Sequence, residues 1–514
     1  MNKITRYIVF CFVLNILIFS VQTSFAQQEK PENLGPTVNS EGEELMPVIS
    51  PDGKTLYFCR GDFEGNYGKQ DIWYSVLDES GKWTPAINMG PPLNDEYNNF
   101  VISVTPDGNT LLLGNVYKSD GTVERGISIS HRTADGWTFP EKVTIEYYYN
   151  KSDYSSFYLA NDGLTLLMSV RREDSYGDKD ADKDIYVSFM QPNGEFSEPM
   201  NLGPTVNTEG DESTPFLASD GVSLYFSSTG HGGYGNSDVF FTRKLDSSWT
   251  NWKQPRNLGP VINTSGSDIY LKLSAAGDYA YFVSTENSYG KGDIFRIRLP
   301  ETLRPLPVML IHGIVINKKT RTPLAAIITY DRLPDKLESG IARSDPMGNY
   351  KIVLPAGYKY KFYAKADGFF TFSDSLDLRF LSLYTELKKD IELTPLEDSI
   401  MCFRNILFNS GKTALFKESI IELDKVVKFM STYEDINLDV YAHCDSVGDE
   451  EMNQRLSEKR SNEVTNYLFK RGIDPSRVQS EGFGEMRPLW SNTTPEGRQY
   501  NRRVEFKVWR NILR

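Results

Sequence analysis

The chain has 514 residues and a formal net charge of −13, a length that suits several domains and a sign that argues against nucleic acid or anionic lipid surfaces as partners. Aromatic residues make up 13%, and with 39 glycines and 26 prolines the composition suits a turn-rich β protein more than a helical one.

Residues 1–26 read as a secretory signal peptide. Lys3 and Arg6 precede an apolar run at 8–19, and Ser24-Phe25-Ala26 supplies a small-x-small cleavage site. The run is too short for a membrane span and Asn15 interrupts it. No later stretch approaches ~18 consecutive apolar residues, so a mature chain without a transmembrane segment, beginning near Gln27, is expected. Cys11 lies inside the apolar run; Cys59, Cys402 and Cys444 are too few for a disulfide framework and read as small buried thiols.

Residues 33–300 repeat. Asn-Leu-Gly-Pro begins at Asn33, Asn201 and Asn257, with Asn-Met-Gly-Pro at Asn88. An apolar-alternating run then leads into Pro51-Asp52-Gly53, Pro106-Asp107-Gly108, Asn161-Asp162-Gly163, Ser219-Asp220-Gly221 or Gly277-Asp278. A β-rich strand, a glycine-rich turn and a second strand follow, the last opening at Asp71-Ile72-Trp73, Gly126-Ile127-Ser128, Asp184-Ile185-Tyr186, Asp238-Val239-Phe240 and Asp293-Ile294-Phe295. A period of about 55 residues, with Asp-Gly hairpin turns and about four short strands per unit, predicts an all-β five-bladed propeller over 27–304. The third unit is degenerate at its start, where Ile145-Glu146-Tyr147 stands in place of Asn-Leu-Gly-Pro; the second has Gly126 in place of the aspartate. Units one, two and four are expected to end on a Trp-and-Pro strand such as Trp83-Thr84-Pro85. The fifth has none, and residues 28–36 are the spare piece that would complete it and cover its edge. SPDGKTLYF followed by GKQDIW resembles the WD40-like PD40 repeat of TolB-type propellers.

Two stretches invite sharper readings. The acidic run 178–184 lacks the glycine and bidentate acid of an EF-hand and reads as a solvated loop. GHGGYG at 230–235 follows no strand–helix pattern and belongs to a hairpin rather than a phosphate loop. His131, His231, His312 and His443 are scattered, and neither metal-ligand spacing nor a nucleophile motif is present. No metal, no cofactor and no catalysis are expected.

Residues 301–307 form a proline-bearing linker to a smaller β unit at 308–395. Alternation at 350–354 and 358–364, split by Pro355-Ala356-Gly357, predicts a hairpin. This stretch resembles the carboxypeptidase-regulatory-like domain, a small β-sandwich, which implies a spacer.

The last unit, 400–510, reads as α+β, with two helices on one face of a sheet. A strand at 400–408 precedes a helix at 414–431, with Ile420, Leu423, Val427 and Met430 on one stripe. A strand at 436–441 runs into a polar loop holding Asp445, then a helix from Asp449 to Gly472. Strands follow around 478–483 and 503–508. Asp449, Glu450 and Glu451 place negative charge at the positive end of that helix, and Asn453 and Arg460 are two turns apart on one face. A carboxylate and a guanidinium at such a junction suit a ligand carrying one ammonium and one carboxylate. The competing reading is an edge arginine that packs its stem and keeps its head in water.

HCDSVG, NQRLSEKR, YLFKRGID, SEGFGEMRP and NTTPEGRQYNRRVEF resemble the OmpA-like peptidoglycan-binding domain over 402–508. The resemblance implies that Asp445 and Arg460 hold the diaminopimelate of the peptide stem and that Asn453 adds a supporting contact. Of Arg502 and Arg503, one is expected to pair within the sheet and one to face the ligand; Arg502 is carried as the ligand-facing candidate. Cys444 and Val447 depart from the family pattern, the second removing a hydrogen bond to ligand. The whole arrangement resembles the peptidoglycan-anchoring subunit associated with type IX secretion in Bacteroidetes. The implied function is a non-enzymatic periplasmic adaptor, associated with peptidoglycan and the outer membrane, whose propeller meets an envelope protein. The alternative is a wall-tethered propeller that binds or processes a glycan or peptide.

Overall fold

A computed structural model of the protein describes residues 30–177, 182–334, 337–395, 400–403, 406, 408, 413–433 and 436–510; the expected signal peptide and residues 178–181 of the acidic run lie outside them. The regular structure of the described residues is mostly β-sheet, with α+β structure at the C-terminal end. Among the described residues no helix is long and apolar enough to cross a membrane.

The repeat folds as five antiparallel sheets. The first contains Glu43–Ile49, Thr55–Gly61, Gln70–Val76 and Ile87–Asn88 in that order, and the others follow its plan. Each Asp-Gly turn closes the first hairpin of its sheet. In the first, Asp52 Oδ1 accepts from Ser50 Oγ at 2.5 Å and from Lys54 N at 3.1 Å, and Gly53 takes φ +70° without a side-chain penalty. The fifth sheet has Lys272–Leu273, Tyr279–Ser284 and Asp293–Arg298, and its outermost strand is Glu32–Asn33, paired with Phe295 and Arg296. The spare N-terminal piece therefore occupies the expected edge.

The outermost strands correct one expectation. They are Ile87–Asn88, Met200–Asn201 and Arg256–Asn257, two residues long and ending on the repeated asparagine. Trp83 and Trp252 make single bridges to Leu77 and Lys244 instead, whereas Trp137 of the second unit does lie in a two-residue strand, Gly136–Trp137, paired with Arg132 and Thr133. Proline has no N–H to give a ladder, so pairing resumes only beyond Pro85 and Pro255.

The repeated asparagines explain why the motif recurs. Asn33, Asn88, Asn201 and Asn257 each donate Nδ2 to an aspartate carboxylate, Asp293, Asp71, Asp184 and Asp238, at 2.6 to 2.8 Å. Six residues later a second asparagine, Asn39, Asn94, Asn207 or Asn263, is buried. Its Oδ1 accepts from the N–H of Ile294, Ile72, Ile185 or Val239, and its Nδ2 donates to the carbonyl of the same residue. A side-chain amide thus does what the next strand's peptide group would have done.

The second sheet lacks this clasp. Lys142 pairs with Ser128 as Asn88 pairs with Trp73, so Lys142 stands at the first asparagine position, Gly126 at the aspartate and Tyr148 at the second asparagine. The degenerate start of the third unit is therefore three residues earlier than the sequence pattern suggested, and it and the missing aspartate are two halves of one lost clasp.

Apolar clusters lie between sheets. Val48, Ile72, Leu93 and Leu113 join the first to the second, and Leu112, Phe157, Leu166 and Phe196 the second to the third. Leu167, Phe226, Phe240 and Phe282 join the third, fourth and fifth, and Ile49, Phe58, Tyr281 and Ile294 join the fifth back to the first.

The unit after the linker is seated on the Asp-Gly turns. Lys351 Nζ meets Asp52 Oδ2 at 2.5 Å, Arg343 N donates to Asp107 Oδ2 at 2.8 Å, Ile341 N to Asp162 O at 2.9 Å and Leu306 N to Asp220 Oδ2 at 2.7 Å. At the fifth turn a Cβ on Gly277 would lie 2.5 Å from Pro305. This unit has two four-stranded sheets, and here the expected hairpin is wrong. Asn349–Pro355 pairs with Val308–Asn317, whereas Lys359–Lys365 lies between Ile327–Leu333 and Phe372–Asp377 in the other sheet. Pro355 offers no N–H, and Ala356 N and Gly357 N donate to Pro307 and Leu378, so the turn carries the chain between sheets.

The C-terminal sheet runs Ile400–Phe403, Val504–Arg510, Ile436–Ala442, Val478–Gly482. The last two expected strands do not pair with each other; both flank Ile436–Ala442. Helices Lys417–Thr432 and Glu450–Lys470 pack with Ile436, Leu438, Val440 and Phe506 in one core. A short helix, Pro495–Asn501, was not anticipated.

Asn39 clasps the two ends of the repeat region together, and its loss leaves Ile294 N buried without its partner, while Ile294 O keeps only Leu34 N at 3.2 Å. Asn39→Ala in the full chain is expected to cost about 1–3 kcal/mol, seen as a lower urea midpoint for that region. An unchanged midpoint would remove the clasp from the account.

Candidate functional site

The strand Ile436–Ala442 ends in a tight descent to the long helix. His443 N donates to Arg503 O at 3.0 Å and Cys444 N to Gly484 O at 2.7 Å, so the strand end is pinned on both sides. Gly448 turns the loop at φ +110°. Asp449 caps the helix by accepting from Met452 N at 3.1 Å, with Glu450 and Glu451 in the first turn.

The SEGFGE motif is explained by close approach. A Cβ on Gly482 would lie 2.3 Å from Glu458 N of the helix, so only glycine lets strand and helix meet there. Gly484 N then donates to Ser457 Oγ at 2.8 Å.

Asp445 is buried at the loop's start. Its Oδ1 accepts from Val447 N at 3.1 Å, and its Oδ2 is paired with Arg502 Nη1. Val447 is exposed and serves the site through its backbone. Asn453 donates Nδ2 to Asp445 O at 3.2 Å, Val447 O at 3.3 Å and Glu485 Oε2 at 2.7 Å, which makes it the staple that shapes the loop. A concavity of ≈460 Å³ borders this point, lined by Asp449, Glu450, Glu451, Gln454, Gly484, Glu485 and Met486.

Arg460 does not keep its head in water. It is 3% exposed, its Nη1 lies 3.8 Å from Cys444 Sγ and its guanidinium lies 5.0 Å from the Phe408 ring centre. Burial lowers its pKa, and the nearby charge of Arg502 works in the same direction while Asp445 opposes it. The Cys444 thiol is pushed up by burial, against the pull of Arg460. The structure therefore brings Asp445, Asn453, Arg460 and Arg502 to one junction, with Arg460 beneath and Arg502, its side chain 45% exposed, at the rim.

The two adjacent arginines divide. Arg503 is buried, donating Nε to Glu505 Oε1 at 2.6 Å and Nη2 to Arg487 O at 3.0 Å. Arg502 follows the short helix, whose Thr494 cap accepts from Gly497 N at 3.1 Å. Buried Asn501 accepts from Leu489 N and Trp490 N and donates to Trp490 O at 2.8 Å. This loop sets where Arg502 stands.

The sequence reading did not single out Glu485 or the pair Arg503–Glu505. The second was accessible, since residues two apart on a strand share a face.

The OmpA family matches residues 407–502, and the C-terminal unit is an OmpA-like α+β domain. Outer membrane porin F of Pseudomonas fluorescens is 38% identical over 104 residues, 20% of this chain and 32% of that protein. Peptidoglycan-binding protein ArfA of Mycobacterium tuberculosis is 33% identical over 103 residues, again 20% of this chain and 32% of that protein. The chain thus spans about a third of the length of these two relatives. Among solved structures, the cell wall anchor of the T6SS from Pseudomonas aeruginosa matches at 23% identity and a TM-score of 0.19, covering 22% of this chain and 87% of that one.

Glu505 beneath the site is held down to about 2, first by His443, at an ion-pair distance of 3.6 Å, and then by Arg503, with burial opposing both. A carboxylate depressed on folding stabilises above its ordinary value near 4.5 and loses that contribution as pH falls towards 2. The unfolding midpoint of this domain is expected to drop steeply across that window, and Glu505→Gln to flatten the drop. A parallel pH profile in the variant would overturn the assignment.

Proposed function

We propose that the protein is a non-enzymatic adaptor of the cell envelope, placed in the periplasm, that grips peptidoglycan non-covalently through diaminopimelate. The observation that carries this reading is the pairing of Asp445 with Arg502 over buried Arg460. One carboxylate between two guanidiniums leaves a site of net positive charge. Diaminopimelate offers an ammonium and a carboxylate on one terminal carbon. The ammonium takes the place of Arg502 on Asp445. The carboxylate is held by the planar forks of Arg460 and Arg502, and Asn453 keeps the loop in shape. The OmpA match at 407–502 and the likeness to the peptidoglycan-binding protein ArfA support peptidoglycan as the ligand.

We further propose that the five sheets are blades of a closed propeller, which presents a face to an envelope protein. Clusters that join each sheet to the next and the fifth to the first support this, as does the strand Glu32–Asn33 on the fifth. The domains are then 27–304, 308–395 and 400–510. A place in a type IX secretion assembly belongs to this proposal and rests on the resemblance of the domain order.

The test is sedimentation with purified sacculi. Truncating one partner of a desolvated charge pair typically costs ~2–5 kcal/mol, enough to erase binding of one small ligand group. Asp445→Ala and Arg502→Ala should leave the folded spectrum unchanged and lose sedimentation with diaminopimelate-type sacculi. Lysine-type sacculi lack the carboxylate and should bind poorly to the parent. Parent-like sedimentation by folded variants would show that Asp445 and Arg502 form only a surface pair worth ~0–1 kcal/mol.

A further inference from the structure

An opening lies where the second sheet lacks the clasp. Where the other junctions place a buried asparagine, residues 147–149 are three tyrosines, all exposed, with Tyr147 at 71%. They line a concavity of ≈550 Å³ together with Arg172 and Glu198, within the range of about 300–1,000 Å³ typical of small-ligand sites.

The rings are held from behind and open in front. Arg172 is buried; its Nη1 donates to Tyr147 O at 3.1 Å, its Nη2 to Glu198 Oε1 at 3.3 Å, and its guanidinium lies 4.3 Å from the Tyr149 ring centre. Its Nε is buried without a hydrogen bond, and Asp174 Oδ1 is 3.8 Å away. Tyr149 OH accepts from Glu173 N at 3.1 Å, and Tyr148 leans on Phe157 with ring centres 6.1 Å apart. Arg172 follows the strand Thr165–Val170 at the end away from the turn at Asp162. The unit that covers the Asp-Gly turns therefore leaves this shelf open.

We propose that the shelf formed by Tyr147, Tyr148 and Tyr149 over Arg172 and Glu198 is a binding site for a neutral glycan chain. Flat aromatic faces carry negative potential and match the C–H face of a pyranose ring. The polar groups select between occupants. Both terminal nitrogens of Arg172 are engaged, while the Glu198 side chain is 59% exposed, so the site offers an acceptor and wants donors. Sugar hydroxyls and acetamido N–H groups supply them. A proline-rich peptide also stacks on aromatic grooves, but it brings carbonyl acceptors and few donors. The net charge of −13 disfavours a polyanion. This site stands apart from the diaminopimelate reading, and each can fail without the other.

The test is calorimetric titration of the full chain with tetra-N-acetylchitotetraose, cellotetraose and a deca-proline peptide. At least one oligosaccharide should bind with a Kd below about 1 mM. Tyr147→Ala and Glu198→Gln should each weaken it by about tenfold; Tyr154→Ala, an exposed tyrosine outside the concavity, and Asp445→Ala should not. Tyr147 is exposed, so its truncation leaves the core intact. The proposal is overturned if neither oligosaccharide binds up to about 10 mM, if Tyr147→Ala binds like the parent, or if only the peptide binds.

Discussion

The β region depends on one constraint: a buried backbone N–H beside the outermost strand must find an acceptor that the two-residue strand there does not supply. The second asparagine of each clasp provides both a donor and an acceptor to one residue, as at Ile294 and Ile72. The first asparagine ties the same loop to the aspartate that gathers the glycine-rich turn, where Asp71 accepts from Tyr67 N and Gly68 N. Two asparagines and an aspartate at fixed offsets thus lock a loop, a turn and a strand together. The repeated motif therefore satisfies buried backbone groups. Where the clasp is gone, at Gly126, Lys142 and Tyr148, the loop is released from that duty and its side chains face outward.

That logic also sets what the sequence could reveal. The number of repeat units and their strands were legible because turn chemistry and alternation are local signals. The Trp-and-Pro edge and the 350–364 hairpin were misread because alternation shows that a strand exists but not which strand it joins. Pairing is decided by groups far away in the chain, as when Gly357 N finds Leu378 O. The same holds in the C-terminal domain. Helical spacing brought Asn453 and Arg460 to one face, and the structure keeps them there. The burial of Arg460 comes from Phe408, and the closure over Asp445 comes from Arg502; no periodicity around residue 460 carries either.

The middle unit has more contacts than a spacer would need. On one side it meets three Asp-Gly turns through Ile341, Arg343 and Lys351, and the linker meets the other two turns through Leu306 and Pro305. On the other side Phe370 stacks on Phe429 of the helix Lys417–Thr432, with ring centres 5.6 Å apart, and Thr371 Oγ1 lies 2.6 Å from Tyr433 OH. Aspartates whose first task is to shape a turn also accept from the neighbouring unit, as Asp107 does through Oδ1 to Thr105 and Oδ2 to Arg343 N. Substituting such an aspartate disturbs a hairpin and an interface at once, so these positions tolerate less change than a turn residue alone. A flexible tether would let the C-terminal domain and the five sheets move independently. Contacts of this kind on both sides resist that motion, so a displacement of the C-terminal domain reaches the sheets through packed side chains and hydrogen-bonded turns rather than through slack chain.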